Sequence, residues 1–151
     1  KMDKETALLN MRLNIEEAIS VKDKSSSTNL CPLLLETPAG QGTELLTDYK
    51  EFLQFTKDIR TQFNSTDIRR FGIVLDSCHI TSTGYCPYQY LKYFLDHGEH
   101  VDLIHYNDSM TSFNSRIDRH APISQGKIPW KSLEDMAQLA SSHNIDMVIE
   151  Y

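Results

Sequence analysis

Four short apolar runs, each closed by a side chain that can bind a metal, constrain this chain more than any other feature. They are Leu30–Leu35 closed by Glu36, Phe71–Leu75 by Asp76, Val101–Ile104 by His105, and Ile145–Ile149 by Glu150. The first is short, continuous and bounded by turn residues, which predicts a buried parallel strand rather than a two-faced antiparallel one. Pro32 lies near its start, where a strand tolerates it. Helical spacing of apolar residues marks Thr6–Val21 (on more than one face), Leu45–Phe63, Tyr88–His97 and Trp130–His143. Loops are expected at Lys22–Asn29, at Thr37–Thr43, from Asp76 through Gly84 and Pro87, and from His105 to Pro129. No sequence repeat is evident, but strands and helices alternate four times, a β/α pattern of parallel type.

The four closing residues are separated by 40, 29 and 45 positions, each long enough for one strand–helix unit. Successive parallel strands present their C-terminal ends on one face, so Glu36, Asp76, His105 and Glu150 are expected to converge there. Acidic residues also cap the loops after strands, and one such strand end would carry little. Four together point to a metal, and three carboxylates with one imidazole suit Zn²⁺ or Mn²⁺. A second set adds to this. His79 follows Asp76 by three residues, and Asp118-Arg119-His120 points a carboxylate and an imidazole the same way in extended backbone. His79, Asp118 and His120 supply three ligands and leave a fourth position open, as in a catalytic zinc site.

The length of 151 residues suits one domain, with a globular composition of 40% hydrophobic and 24% charged residues. A net charge of −6 argues against a general nucleic-acid coat but is silent about a local site. No apolar run approaches the roughly 18 residues of a membrane span, and no membrane partner is expected. The odd set Cys31, Cys78 and Cys86 lacks a CxxC pairing. An intracellular, reducing compartment is therefore expected rather than a secreted disulfide scaffold. Residues 111–133 carry Arg116, Arg119, Lys127 and Lys131 against Asp118, a local +3 expected to meet backbone phosphates. Tyr85 is a weaker groove-contact candidate, and Trp130 is expected in the core.

Several motifs occur together in order: Leu35-Glu36-Thr37-Pro38-Ala39-Gly40-Gln41-Gly42, Leu75-Asp76-Ser77-Cys78-His79 with Gly84-Tyr85, His105-Tyr106-Asn107-Asp108-Ser109, and Ser115-Arg116-Ile117-Asp118-Arg119-His120 followed by Gly126. With this spacing the chain resembles the endonuclease IV family of apurinic/apyrimidinic endonucleases (AP endonuclease family 2). The resemblance implies a xylose-isomerase-like TIM (β/α)8 barrel with three zinc ions. It implies base-excision repair, by hydrolysis of the phosphodiester 5′ to an abasic site in duplex DNA. Glu36 would bridge two metals and orient the attacking water. Asp76, His105 and Glu150 would complete the second metal, and His79, Asp118 and His120 would hold the third. Arg116, Arg119, Lys127 and Tyr85 would face DNA. The family's first metal takes two further histidines from the second and third barrel strands, which this chain lacks.

The resemblance therefore runs only over strands five to eight with their helices, and a complete barrel needs about 250 residues. Residues 1–151 are read as the C-terminal half of one barrel domain, with Lys1 and Tyr151 at cuts. Such a piece is expected to be inactive or feeble alone, and its sheet edges to seek the N-terminal half-barrel or another copy. Asn114 stands where the family commonly has Gly, Cys86 where it usually has Asp, and Pro38 and Tyr106 replace commoner residues. Two other readings compete. A single-metal sugar isomerase or epimerase of the xylose-isomerase-like barrels shares the four strand-end residues but has no use for His79, Asp118 and His120. A catalytically incomplete half-barrel would bind metal or DNA without cutting.

Overall fold

The computed structural model describes residues 2–20, 31–63 and 70–150. The chain runs α1 (Lys4–Ser20), β1 (Leu33–Glu36), α2 (Tyr49–Gln62), β2 (Phe71–Asp76), α3 (Ser77–Ser82), α4 (Pro87–Asp96), β3 (Leu103–His105), β4 (Asp108–Ser109), β5 (His120–Ala121), α5 (Trp130–Ser142) and β6 (Asp146–Val148). Four strands form one sheet in the order β1-β2-β3-β6, and every neighbouring pair is parallel. Each strand is added beside the one before it in the chain, as in a β/α barrel wall. The expected loop at Lys22–Asn29, with Val21, Leu30 and Tyr151, lies outside the described residues.

Register and pleat together decide which side chains share a face. Leu35 pairs with Ile73 and Leu75 with Ile104, and these point into the helical layer. There they meet Phe52 and Ile59 of α2, Leu91 and Phe94 of α4, and Met136 of α5. The alternate positions point to the opposite face. Glu36 pairs with Val74, two residues before Asp76, and Asp76 pairs with His105, which pairs with Val148, two residues before Glu150. A side-chain period of two thus puts all four strand-end residues on one face and at one end of the sheet.

The structure corrects several expectations. The second helix starts at Tyr49 rather than Leu45, because Asp48 caps it by accepting from the backbone N–H of Lys50 (2.9 Å) and Glu51 (3.1 Å). Leu46, just upstream, is left-handed at φ 61° and buried. The expected loop after Asp76 contains the one-and-a-half-turn helix α3, because Asp76 also acts as its N-cap. The loop from His105 to Pro129 contains the antiparallel pair β4–β5. β1, expected to be buried, is partly exposed, and so is β6. Each lies at an edge of the sheet, and Leu33, Met147 and Val148 are exposed despite being apolar. Trp130 is not in the core. It opens α5 with 54% of its surface exposed, while Leu133, Met136 and Ala140 of the same helix are fully buried.

The cysteines are free, with Cys31 exposed, Cys86 half-buried and Cys78 buried. Among the described residues, no helix is long and apolar enough to cross a membrane. The contrast between core and surface gives a direct test. Phe94 is fully buried and stacks on Tyr90 at 5.1 Å between ring centroids, so Phe94→Ala is expected to cost about 3–5 kcal/mol in urea denaturation. Trp130→Ala should cost less than about 1 kcal/mol.

Candidate metal centre

The end of β2 organises the site. Asp76 is fully buried, and both of its oxygens accept hydrogen bonds. Oδ1 takes the backbone N–H of His79 at 2.8 Å, which starts α3, and Oδ2 takes the Asn107 amide Nδ2–H at 2.7 Å. Thr37, just past β1, ties the two strand ends together. Its hydroxyl accepts from the Asp76 backbone N–H at 2.9 Å, and its carbonyl lies 2.8 Å from His79 Nδ1. That second contact makes Nδ1 the protonated nitrogen and leaves Nε2 of His79 with its lone pair facing inward.

Two groups of potential ligands abut at this point. In the first, ligand atoms of Glu36, Asp76, His105 and Glu150 all lie within 4.8 Å of one another. His105 Nδ1 is 3.0 Å from Glu36 Oε1, 3.0 Å from Glu150 Oε2 and 3.8 Å from Asp76 Oδ2. In the second, Asp118 faces His79 Nε2 at 3.3 Å and His120 Nε2 at 3.2 Å. The groups are joined through Asp76, whose Oδ2 is 3.6 Å from His120 Nε2. Cys78 forms a third possible group with Asp76 and His120. Its buried thiol has its pKa pushed up by desolvation, with Asp76 and Asp118 adding to the rise against contacts from Ser109 and Arg119.

Two observations show that these residues fit a divalent cation. Among the described residues the buried Nε2 atoms of His79 and His120 form no hydrogen bond and face only the carboxylates of Asp118 and Asp76, a costly state for a polar atom unless something else occupies its lone pair. Second, donors bound at about 2.0–2.2 Å to a tetrahedral ion stand about 3.4 Å apart. The separations here, 3.0 to 3.8 Å, straddle that value. Four carboxylates also converge, and among the described residues their ion pairs within the centre go to His79, His105 and His120. Mixed imidazole and carboxylate donors suit a borderline cation. Beside the groups opens a cavity of about 470 Å³, lined in part by Glu36, Thr37, Pro38, His79 and Asp118.

The loop that carries Asp118 and His120 is anchored from below. The C-terminal carbonyls of α3, which lack partners within that helix, accept from it: Thr81 takes Asn114 N–H and Ser82 takes Arg116 N–H, each at 3.0 Å. Asn114 is left-handed at φ 59°. Asparagine tolerates that region better than other non-glycine residues, so the turn forms here without glycine. Further along, the buried Asp108 carboxylate accepts the backbone N–H groups of Ser109 (2.7 Å), Gly126 (2.9 Å) and Ile128 (3.0 Å). A Cβ on Gly126 would stand 2.3 Å from Asp108 Oδ1, so the close approach needs glycine.

The expected phosphate-facing residues divide. Arg116, Arg119 and Lys127 are exposed. The stem of Arg116 lies across Gly40, where a Cβ would meet its Cδ at 2.7 Å. Arg119 donates to the Asp118 carbonyl at 2.7 Å. Lys131 is paired with Asp135 at 2.7 Å. Tyr85 is half-buried, packs edge-on against Tyr49 at 5.0 Å and donates its hydroxyl to Asp48 at 2.9 Å. Thr37, Asn107 and Asp108 are the supporting residues that the sequence reading gave no role. The available signal was small polar residues within three positions after strand-end ligands.

Burial lowers the pKa of His79, but the carboxylates of Asp76, Asp118 and Glu36 and the Thr37 carbonyl outweigh it and hold the imidazole above its usual 6.5. In the metal-free chain, protonated His79 therefore contributes stability that is complete below pH 6.5 and is lost as pH rises through the raised value. The melting temperature of the metal-free chain should fall as the pH rises from 6.5 through the raised value, and His79→Gln should flatten that fall. A slope unchanged by the substitution would contradict the assignment.

The profile of the xylose isomerase-like TIM barrel family matches residues 2–151. A mimivirus protein carrying the endonuclease 4 name, from Acanthamoeba polyphaga mimivirus, is 30% identical over 92% of this chain and 48% of its own length. One from Mycoplasmopsis agalactiae is 32% identical over 87% of this chain and 46% of its own length. The crystal structure of endonuclease IV from Thermus thermophilus superposes with a TM-score of 0.61 at 26% identity, over 79% of this chain and 42% of that one. The chain thus spans about half the length of the curated relatives it matches. With a family profile matched from residue 2 to the end and relatives of one name at this level of identity, the chain belongs to the endonuclease IV family of xylose isomerase-like TIM barrels.

Proposed function

We propose that this chain is the C-terminal half of an AP endonuclease barrel and supplies most of its metal centre. The whole protein would hydrolyse the phosphodiester 5′ to an abasic site in duplex DNA, as an intracellular base-excision repair enzyme. The observation that carries this reading is the joining of two ligand groups through Asp76 at one end of the sheet. A single-metal sugar isomerase has a use for Glu36, Asp76, His105 and Glu150, but not for the two buried imidazole nitrogens of His79 and His120 that face Asp118.

On this reading Glu36, Asp76, His105 and Glu150 hold one zinc ion and His79, Asp118 and His120 another, with Mn²⁺ as a substitute. Glu36 and two histidines from the missing half hold the third. Bound ions of this kind lower the pKa of water towards about 7 and neutralise phosphate charge. The chain's own residues do the rest. Glu36 is the most exposed of the four strand-end side chains apart from Glu150 (38% against 42%) and borders the cavity, so its carboxylate can orient a water there. Thr37 fixes the His79 ring, and Asp118 lies between His79 and His120. Arg116, Arg119 and Lys127 border the same loop and can bind backbone phosphates without reading sequence. The −6 net charge is compatible with DNA because four of the carboxylates belong to the centre, where each ion adds two positive charges.

The test is Glu36→Gln in the complete protein, assayed by nicking of a duplex oligonucleotide with one abasic site. The expected loss is at least about 100-fold in rate, as for removal of a group acting in the transition state. Nicking near the wild-type rate would end the assignment of Glu36. The 151-residue chain alone should nick feebly or not at all.

A further inference from the structure

Asn107 is completely buried, yet it is neither a metal ligand nor part of the apolar core. It follows β3 by two residues, and its side chain reaches the residues that end both flanking strands. The amide Nδ2–H donates to Asp76 Oδ2 at 2.7 Å, at the end of β2. The amide oxygen accepts the backbone N–H of Glu150 at 2.8 Å, just past β6. The two partners fix the amide's orientation, because a carboxylate can only accept and a backbone N–H can only donate. A flipped amide would lose both bonds.

Few side chains can fill this place. An aspartate has no hydrogen for Asp76, a leucine serves neither partner, and a glutamine is one methylene longer in a fully packed site. The backbone of Asn107 is held as well. Its N–H donates to Ser77 Oγ at 2.8 Å, and its carbonyl lies 2.5 Å from the same oxygen. Ser77 thus anchors the position of Asn107, while the amide does the reaching.

We infer that Asn107 is a positioning residue that sets the spacing of Asp76 and Glu150 on either side of His105, and thereby the affinity of that four-residue group for a divalent cation. The inference rests on the metal-centre reading above. The bond to Oδ2 and the N-cap bond to Oδ1 fix the plane of the Asp76 carboxyl group, with Oδ2 3.8 Å from His105 Nδ1 and 3.6 Å from His120 Nε2. The bond to Glu150 N–H fixes the backbone from which the Glu150 carboxylate extends to within 3.0 Å of His105. Such supporting contacts typically change metal affinity by about 10–100-fold when lost.

The experiment is Co²⁺ titration of the 151-residue chain, read by visible absorption and chelator competition. The His120→Ala background isolates the four-residue group. Asn107→Ala should weaken Co²⁺ binding at least about tenfold, with Asn107→Ser, too short to reach both partners, as the second variant if alanine fails to fold. Thr56→Ala removes a buried hydrogen bond from α2, away from Asp76 and Asn107, and should leave the affinity within about twofold. Melting temperatures of the metal-free proteins are measured alongside. Equal losses in the Asn107 and Thr56 variants, or an Asn107 variant that binds like the parent, would overturn the positioning role. Glu36→Gln serves as the reference for the site itself. If it too leaves Co²⁺ binding unchanged, the metal-centre reading fails, and the role of Asn107 with it.

Discussion

The arrangement of this chain depends on one buried charge. Asp76 is fully enclosed at the end of β2, where an unpaired carboxylate would be very costly. It is satisfied by two donors of different origin, the His79 N–H and the Asn107 amide. The first bond starts α3, and the C-terminal carbonyls of α3 hold the loop that carries Asp118 and His120. The second bond ties the end of β2 to the segment after β3 and, through Asn107, to the end of β6. One carboxylate thus locates both ligand groups, and it lies within reach of both.

The electrostatics of the centre follow from this crowding. Glu36, Asp76, Asp118 and Glu150 stand close together, and the groups that face them are imidazoles rather than lysines or arginines. Imidazoles can be neutral ligands to a cation or imidazolium counter-ions to carboxylates. His79 shows the balance: burial alone would favour its neutral form, and the surrounding carboxylates reverse that preference. The exposed cations Arg116, Arg119 and Lys127 lie outside the cluster, on the loop that carries Asp118 and His120 and its continuation. Charge is therefore segregated, acidic within and basic at the rim.

Much of this was legible in the sequence, and for identifiable reasons. Strand interiors such as Phe71–Leu75 are continuous apolar runs because both faces of β2 are covered. The span of α4 was close to expectation, where a proline marks the start at Pro87. The reading failed where tertiary position overrides composition. Trp130 is apolar but sits on the outward side at the start of α5, and Leu33 of β1 is exposed at the edge of the described sheet. It missed α3 because a six-residue helix of serines, threonine, cysteine, isoleucine and histidine has little apolar periodicity of its own. That helix forms because Asp76 caps it.

By itself the sequence determined the alternation of strands and helices, the parallel sheet, and the chemical identity of seven residues able to hold metals. Those depend on local pattern and on side-chain chemistry, which a linear chain carries in full. The tertiary structure alone decided the rest. Register put Glu36, Asp76, His105 and Glu150 on the same side of the pleat. Thr37 chose which nitrogen of His79 faces inward, and Asn107 bridged two strands that do not touch each other. These are hydrogen bonds between residues 31 to 43 positions apart, and no local pattern encodes which donor will meet which acceptor once the sheet has assembled.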